Sequence, residues 1–372
     1  MERGYQICTK CIMDTTDPDI EFDENGICNH CREYESEAKR HIYTAEEGER
    51  RLKELIQEIK QQGRGKEYDC VVGFSGGVDS TYALYLAKKH GLHPLAVELD
   101  NGWDSELAVR NVERTLKKLN VELYKYAIDW EEFREMQLAY LRASVMGIEA
   151  LTDHAIIAFL FRTTGERGVK YLIAGTNITT ESIRVPGWGH PNNDLTNVKD
   201  IIKKCGNVKV RTLPTQSLFQ EAYYRFVKGI KFISILNYVP YVREEAKEII
   251  TRELDWTDYG AKHRESIWTR FYQGYILPRK FNIDKRKAHL SNLIHSGQLT
   301  REEAVNEMLQ SPYTEEDLSQ DKEYCLKKLG LNEDEFEEML NLPVKSHSDY
   351  KTDTMWRRPL MRIYKMFGGS RY

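Results

Sequence analysis

A short glycine turn carries the clearest chemical signal in this chain of 372 residues. It reads Ser75-Gly-Gly-Val-Asp-Ser80, follows a β-rich run at 68–74 and opens a helical pattern at 80–90. Glycines let the backbone approach a ligand closely, and free amides at the start of a helix attract anions. Ser75 and Ser80 can add hydroxyl donors, whereas the Asp79 carboxylate suits Mg²⁺ that bridges phosphate oxygens. The turn therefore predicts a site for a polyphosphate and magnesium.

The turn lacks the lysine of the Gly-x4-Gly-Lys-Ser/Thr loop, so we do not expect a Walker-type NTPase. An ordinary strand–turn–helix corner, which uses glycine only for its geometry, is the alternative interpretation. The position of the whole hexapeptide between a strand and a helix favours the phosphate site.

Four cysteines near the N-terminus have the spacing of a metal site. The pairs are Cys8-x2-Cys11 and Cys28-x2-Cys31, and this arrangement is typical of a four-thiolate zinc ribbon. Four protein ligands complete the tetrahedral shell of zinc, so we expect a structural ion with no position open for catalysis. A redox or iron–sulfur role is the alternative.

Strand and helix patterns alternate through the middle of the chain. The β-rich runs lie at 68–74, 92–99, 121–128 and 169–174, and the helical patterns at 80–90, 104–120 and 129–167, the last one broken near Gly147. This alternation predicts an α/β fold with a doubly wound, mainly parallel sheet, whose ligands lie beyond the carboxyl ends of the strands. Residues 185–215 read as a long loop, which is often a lid, and the chain reads as helical from about residue 242.

These patterns divide the chain into three predicted domains. We expect a zinc ribbon at 1–40, a nucleotide-binding α/β domain at 41–240 and a helical region for substrate or partner at 241–372. The net charge of −4 gives no bulk electrostatic case for nucleic acid binding. The chain shows neither a signal peptide nor the roughly 18 apolar residues of a membrane span, and its cysteine count is odd, so the cytoplasm is expected.

Two further polar segments end strand patterns. They read Asp100-Asn101-Gly102-Trp103 and Gly175-Thr176-Asn-Ile-Thr-Thr-Glu181. The carboxyl ends of parallel strands share one edge of the sheet, so we expect both segments beside the glycine turn. Taken alone, each segment is equally typical of a polar turn.

The helical region contains a dense mixture of basic, acidic and aromatic residues at 262–271, 275–281 and 284–291. A substrate with phosphates and a carboxylate would need cations, and the candidates are Lys262, Arg264, Arg270 and Lys280. The candidate proton acceptors are His263 and Glu265. A solvated basic face above an aromatic core stripe is the neutral interpretation.

The glycine turn is similar to the signature of the pyrophosphate-loop ATPases, the adenine nucleotide alpha hydrolase-like group. That superfamily includes NAD, GMP and asparagine synthetases and tRNA thiolases. The resemblance implies that AMP passes from ATP to a carbonyl or amide oxygen, that pyrophosphate leaves, and that a nucleophile such as ammonia then displaces AMP.

The same resemblance implies roles for individual residues. The segment at 175–181 is similar to the Gly-Thr-x4-Glu of NAD synthetase, so Glu181 would share Mg²⁺ with Asp79, and the segment after the second strand would seat adenine. The implied ATP-binding residues are Ser75, Gly76, Gly77, Val78, Asp79, Ser80, Asp100, Asn101, Gly102, Gly175 and Thr176.

Over about residues 5–310, the chain resembles the N-acetyl sugar amidotransferase family of bacterial surface-polysaccharide biosynthesis. The resemblance is carried by the cysteine pairs, the segment at 100–103 and the segments of the helical region. The resemblance implies that an acetamido group on a nucleotide-activated sugar becomes an acetamidino group, in LPS O-antigen or nonulosonic acid biosynthesis. It also implies a separate glutaminase subunit that supplies ammonia, commonly with a cyclase-like companion.

The sequence has no recognisable glutaminase of its own. Glu2 follows the initiator methionine, so there is no N-terminal cysteine nucleophile, and no Gly-x-Cys-x-Gly elbow occurs. We therefore expect a partner to supply ammonia.

The main alternative is a tRNA thiolase, because some thiolases combine zinc knuckles with this loop. Such enzymes usually need cysteines near the active site, whereas Cys70 lies in a strand pattern and Cys205 and Cys325 lack a CxxC partner. A zinc-bearing scaffold without enzymatic activity would not explain the intact phosphate loop.

Overall fold

A parallel sheet of five strands forms the centre of the computed structural model, which describes residues 4–189, 191–260, 264–357 and 359. The strands are β1 Cys70–Gly73, β2 Pro94–Asp100, β3 Leu123–Ala127, β4 Tyr171–Ala174 and β5 Lys231–Ser234. They lie in the order β3-β2-β1-β4-β5, and every neighbouring pair is parallel. The chain winds outward from β1 to β3 and then returns to place β4 on the other side of β1. This reversal leaves a crevice at the carboxyl ends of β1 and β4, where such sheets bind ligands.

Helices cover both faces of the sheet and continue beyond it. The α-helices are α1 Asn29–His41, α2 Ala45–Gly63, α3 Val78–Lys89, α4 Glu106–Leu119, α5 Trp130–Ala143, α6 Ala150–Glu166, α7 Ile178–Glu181, α8 Leu195–Cys205, α9 Leu218–Ala222, α10 Arg243–Leu254, α11 Ile267–Phe271, α12 Leu277–Phe281, α13 Arg286–His295, α14 Arg301–Met308, α15 Glu315–Leu329 and α16 Glu333–Asn341. Within the described part of the chain, none of them has the length and apolar character needed to cross a bilayer.

The alternation of side chains along β1 divides the core between the two faces of the sheet. Val72 packs with α2, α3 and α10, whereas Val71 packs with α6 on the opposite face. A strand that is covered on both sides reads as a continuous apolar run, which is why residues 70–72 are all buried.

A third core lies beyond the sheet and joins distant parts of the sequence. It contains the four N-terminal cysteines together with apolar residues of α5, α7, α8, α11, α15 and α16. Cys11, Trp103, Phe271 and Phe336, for example, belong to one buried cluster. The predicted ribbon and the predicted helical region therefore share a core.

The α/β class and the doubly wound parallel sheet are confirmed, as are the four predicted strands and the break between α5 and α6. The short edge strand β5 is not evident from the sequence. The interpretation of 185–215 as one long loop is wrong, because it contains a 3₁₀ turn at Pro186–Trp188 and the helix α8. The apolar residues of α8, which include Ile201 and Ile202, pack into the core between flanking segments rich in Gly, Pro and Asn.

Candidate active site

The glycine turn lies at the carboxyl end of β1 and leads into α3. Gly76 has φ +76°, a conformation that glycine adopts without strain. A Cβ on Gly76 would also lie 2.9 Å from Val112 Cγ2 of α4. Ser75 Oγ and Ser80 Oγ are 3.1 Å apart across the turn. Among the described residues, no side chain caps the start of α3, so its first backbone amides can bind an anion.

Two aromatic residues from the segment after α10 hold the turn in place. Trp256 Nε1 donates to the carbonyl oxygen of Gly76 at 2.9 Å, and the Tyr259 hydroxyl donates to the same oxygen at 3.1 Å. Asn111 of α4 exchanges two hydrogen bonds with the backbone of Thr257, at 2.8 and 2.9 Å. None of these residues was evident from the sequence. A Trp and a Tyr within a polar stretch are a weak signal, and nothing local identifies a carbonyl 180 residues away.

The end of β4 meets the start of α3, as the strand-end argument predicts. A Cβ on Gly175 would lie 2.6 Å from the backbone carbon of Asp79 and from the backbone nitrogen of Ser80. Only glycine allows this approach. Thr176 Oγ1 lies 2.8 Å from Ser234 Oγ at the end of β5.

The Tyr241 hydroxyl contacts Asp79, one of the two predicted magnesium ligands. It donates a hydrogen bond to Asp79 Oδ1, and its pKa is raised by burial, by the Asp79 carboxylate and, to a smaller extent, by the charge of Glu181. Glu181 ends α7, whose N-cap Asn177 accepts from Thr180 N at 2.8 Å. Carboxylate oxygens from these two residues fit the ligand preference of Mg²⁺. The sequence did not single out Tyr241.

The turn after β2 is held by the C-terminal half of the chain. Asp100 accepts from Gly102 N at 2.8 Å and pairs with Lys125 at 2.9 Å. The ammonium of Lys328 in α15 donates to the Gly102 carbonyl and lies 4.8 Å from the ring centroid of Trp103. A cation over an aromatic face is attracted by the ring quadrupole.

Asn101 in the same turn accepts from Trp103 N at 3.1 Å and donates to Thr152 Oγ1 at 3.3 Å. These contacts shape the turn, and its contact with adenine stays a prediction.

Glu265 reaches the glycine turn from the C-terminal region. Its carbonyl oxygen accepts from Ser105 N at 2.8 Å, and Ile267 N donates to the Trp103 carbonyl at 3.0 Å. Its side-chain Oε1 lies 3.6 Å from the position that a Cβ on Gly77 would occupy. The candidate proton acceptor therefore lies beside the phosphate loop.

Two acidic residues that the sequence did not single out lie next to this contact. Glu98 points from β2 and is 7% exposed, and Asp104 follows the turn after β2 and pairs as an isolated β-bridge with Ser266. Burial and the neighbouring carboxylates of Glu98 and Asp100 raise the pKa of Asp104 to about 7.

Two of the candidate substrate cations have structural partners instead. Arg270 Nε donates to Asp321 Oδ2 at 2.6 Å in a two-point ion pair, and Asp321 is 5% exposed. Lys280 donates to three backbone carbonyls at the end of α16, those of Met339, Leu340 and Leu342. We therefore correct both assignments: Arg270 anchors α15 to α11, and Lys280 caps α16.

Arg264 has a longer ion-pair distance than Arg270. Arg264 Nη2 lies 3.9 Å from Asp317 Oδ2 in α15, which leaves the long guanidinium weakly held. Lys262 and His263 lie outside the described residues.

The four N-terminal cysteines converge as a metal centre. All are 0% exposed, and their sulfur atoms lie within 4.8 Å of one another. The measured separations include 3.6 Å for Cys8–Cys31, 3.7 Å for Cys11–Cys28 and 3.5 Å for Cys28–Cys31. Tetrahedral zinc with Zn–S bonds of ~2.3 Å requires sulfur separations of about 3.8 Å. The cluster therefore fits a four-thiolate zinc ion.

The cysteine segment contacts α14, and the neighbouring helix α13 contacts the segment that follows Glu181. Arg301 donates to the carbonyls of Cys8 and Cys11, both at 3.1 Å. On α13, Asn292 accepts from Ile183 N, two residues after Glu181, at 3.0 Å. The metal segment thus packs against the helices that position α7.

Two family models match separate parts of the chain. Residues 69–158 match the queuosine biosynthesis protein QueC, and residues 265–362 match the C-terminal domain of WbpG-like LPS biosynthesis proteins. An uncharacterised protein of Methanocaldococcus jannaschii, MJ1599, is 25% identical over 311 residues, which cover 81% of this chain and 92% of that protein. The two family matches confirm the predicted combination of a pyrophosphate-loop domain with a domain of surface-polysaccharide biosynthesis.

Several solved structures are similar over part of the chain. NMN synthetase from Francisella tularensis is 15% identical and covers 57% of this chain and 96% of its own, with a TM-score of 0.30. NH3-dependent NAD synthetase from Campylobacter jejuni is 14% identical and covers 41% and 72%, with a TM-score of 0.28. With scores this low, the fold assignment depends on the sheet topology and the family matches.

Proposed function

We propose that the chain is a WbpG-like amidotransferase built on a pyrophosphate-loop ATPase domain and that it converts a sugar acetamido group to an acetamidino group. The substrate is a nucleotide-activated N-acetyl sugar of LPS O-antigen or nonulosonic acid biosynthesis. ATP activates the amide oxygen by adenylation, and ammonia then displaces AMP.

The observation that carries this proposal is the convergence of the two matched segments on one site. Glu265, at the start of the WbpG-like match, hydrogen-bonds Ser105 at 2.8 Å, and its carboxylate lies beside Gly77 of the QueC-like match. A substrate held by the C-terminal domain would therefore lie close to the phosphates of ATP. Proximity of this kind lowers the barrier of a two-substrate reaction without a covalent enzyme intermediate.

The proposed mechanism needs positioning and charge stabilisation from the protein. An amide carbonyl is a poor electrophile, and transfer of AMP to its oxygen provides a good leaving group. The amides at the start of α3 and the hydroxyls of Ser75 and Ser80 would hold the pyrophosphate. Asp79 and Glu181 would hold Mg²⁺, and its positive charge would stabilise the negative charge of the phosphates.

We also propose that ammonia comes from a separate glutaminase subunit, with a cyclase-like companion. The three cysteines outside the metal cluster support this assignment. Cys70 in β1 and Cys325 in α15 are 0% exposed, and burial raises the pKa of both thiols, so neither resembles an activated nucleophile. Cys205 ends α8, with its sulfur 3.5 Å from the Tyr350 hydroxyl. The same thiols are equally unsuited to a tRNA thiolase.

The proposal is tested by mass spectrometry of candidate sugars after incubation with the protein, ATP, Mg²⁺ and ammonium chloride. UDP-linked diacetamido uronic acids and CMP-linked nonulosonic acids are the first candidates. Replacement of one acetamido oxygen by NH in one of them, together with AMP formation, is the expected result. ATP consumption that leaves every acetamido group intact would overturn the assignment.

A further inference from the structure

Two carboxyl groups near the carboxyl end of β2 lie close together, those of the buried Glu98 and the half-buried Asp104. Glu98 is two residues before Asp100 on β2, so both side chains point to the same face of the sheet. Glu98 is 7% exposed, and its Oε2 is buried without a hydrogen-bond donor among the described side chains and amides. The Asp104 carboxyl lies within hydrogen-bonding reach of Glu98. One carboxyl must be protonated for that hydrogen bond to form.

The charges that face this pair come from several elements. Lys125 of β3 lies 3.3 Å from Glu98 Oε1 and 2.9 Å from Asp100 Oδ2. The Glu265 carboxylate adds negative charge near Asp104, and the Tyr259 hydroxyl faces both of them. Among the described residues, these contacts set the Lys125 cation against the carboxyl groups of Glu98, Asp100, Asp104 and Glu265, so full ionisation of the cluster is unfavourable.

Burial is the largest cause of the raised pKa values in the pair, and the second cause differs between its members. The pKa of Asp104 rises to about 7 because of burial and then the charge of Glu98, while at Glu98 burial, together with the charge of Asp100, outweighs the lowering effect of Lys125 on the pKa. Two interacting carboxyl groups titrate as one unit, with a single proton shared over the intermediate range.

Asp104 lies between the start of the WbpG-like domain and the helix α4, which packs against the glycine turn. Asp104 bridges to Ser266 and is flanked by the backbone hydrogen bond between Ser105 and Glu265. The carbonyl of Ala108, in the helix that begins two residues after Asp104, lies 3.5 Å from the Cβ position of Gly76. Asp104 thus borders the start of the WbpG-like domain, and the helix that follows it borders the phosphate loop.

We propose that Glu98 and Asp104 act together as the base that takes the proton from ammonium when ammonia attacks the adenylated amide. This inference rests on the proposed function.

The proton transfer conserves atoms and charge. One N–H bond of ammonium breaks, and its proton passes to a carboxylate oxygen of the ionised pair. The freed lone pair forms the new C–N bond at the imidate carbon. One proton of the added nitrogen moves to the amide nitrogen of the sugar, the C–O bond to AMP breaks, AMP leaves with the electron pair, and the product carries an amidinium charge. The pair finally releases its proton to solvent.

The test measures adenylation and the ammonia step separately in the variants Asp104→Asn and Glu98→Gln. Each substituted side chain keeps the shape of the original but cannot take up a proton from ammonium. Adenylation is measured as the sugar-dependent exchange of labelled pyrophosphate into ATP. The sugar is the UDP-linked diacetamido uronic acid, or the CMP-linked nonulosonic acid if that sugar supports exchange. We expect exchange within about threefold of wild type, and amidine formation from ammonium chloride about 100-fold slower. Hydroxylamine, which is largely unprotonated at neutral pH, should restore turnover. Glu106→Gln, with a 91% exposed side chain in α4, is the control.

The pH profile gives a second readout. Only the ionised pair accepts a proton, so the wild-type rate at a fixed concentration of ammonium should fall below pH about 7, and this inflection should vanish in Asp104→Asn. The inference is overturned if both folded variants form the amidine at the wild-type rate. It is also overturned if the variants lose both pyrophosphate exchange and amidine formation. Absence of sugar-dependent exchange in the wild type itself would instead refute the proposed function.

Discussion

The Tyr241 hydroxyl donates a hydrogen bond to the Asp79 carboxylate, the second residue of α3. Tyr241 comes from the segment between β5 and α10 and is 5% exposed. The bond fixes one oxygen of the predicted magnesium ligand in a buried setting, where hydrogen bonds to charged groups contribute most. The metal side of the phosphate site thus depends on a residue 162 positions away.

Tyr241→Phe removes this hydrogen bond and keeps the ring. A hydrogen bond to a charged group contributes ~1.5–3 kcal/mol, so we expect the Mg²⁺ concentration for half-maximal turnover to rise about tenfold or more. This concentration is measured from the rate of AMP formation at increasing concentrations of Mg²⁺. Tyr238→Phe, in the neighbouring 3₁₀ turn, is the matched control. An unchanged Mg²⁺ titration in Tyr241→Phe would show that the bond does not position Asp79.

Gly175→Ala places a methyl group 2.6 Å from the backbone at the start of α3. Backbone cannot move aside as a flexible side chain can, so overpacking should cost ~1–3 kcal/mol and displace the phosphate loop. We expect at least about tenfold weaker ATP binding, measured by calorimetry. Gly189→Ala is the control, because its Cβ would meet nothing within 4 Å. Equal ATP affinity in the two variants would contradict the close contact between β4 and α3.

Removal of the metal should destabilise the third core. We expect about one zinc ion per chain by metal analysis, and none in Cys11→Ser or Cys28→Ser, because a four-thiolate site needs all its ligands. Both variants should also melt at lower temperature. Cys205→Ser should keep its zinc, since Cys205 lies outside the cluster. A native wild-type protein without metal that melts at the same temperature would contradict the zinc assignment.

Arg270→Ala distinguishes a structural role from substrate binding. The variant leaves the buried Asp321 carboxylate without its cation, although the Tyr313 hydroxyl still donates to it, so we expect the free energy of unfolding to fall by about 3 kcal/mol. The KM for the sugar should stay within about twofold when rates are normalised to folded protein. Arg252→Ala, whose side chain is 67% exposed, should change neither quantity. A large increase in KM with unchanged stability would restore the substrate role.

The sequence predicts the sheet and the phosphate turn well because both depend on local patterns. Apolar runs define the buried strands, and the complete glycine hexapeptide stands between a strand and a helix, where free amides can bind an anion. The rule that ligands lie at strand ends correctly placed Gly175 beside Asp79.

The contacts that complete the site could not be predicted, because they join residues far apart in the chain. Tyr241 and Trp256 act on the glycine turn only through the tertiary fold. Arg270 and Lys280 looked like substrate cations because their partners, Asp321 and the end of α16, lie more than 50 residues further on. A local charge pattern does not say which charges pair internally.

The products that ATP yields test adenylation most directly. Phosphorus NMR of a mixture of protein, ATP, Mg²⁺, ammonium chloride and the acetamido sugar should show AMP and pyrophosphate, formed only when the sugar is present. Asp79→Ala should abolish both products. Formation of ADP and phosphate, or unchanged AMP formation by Asp79→Ala, would contradict adenylation at this phosphate loop.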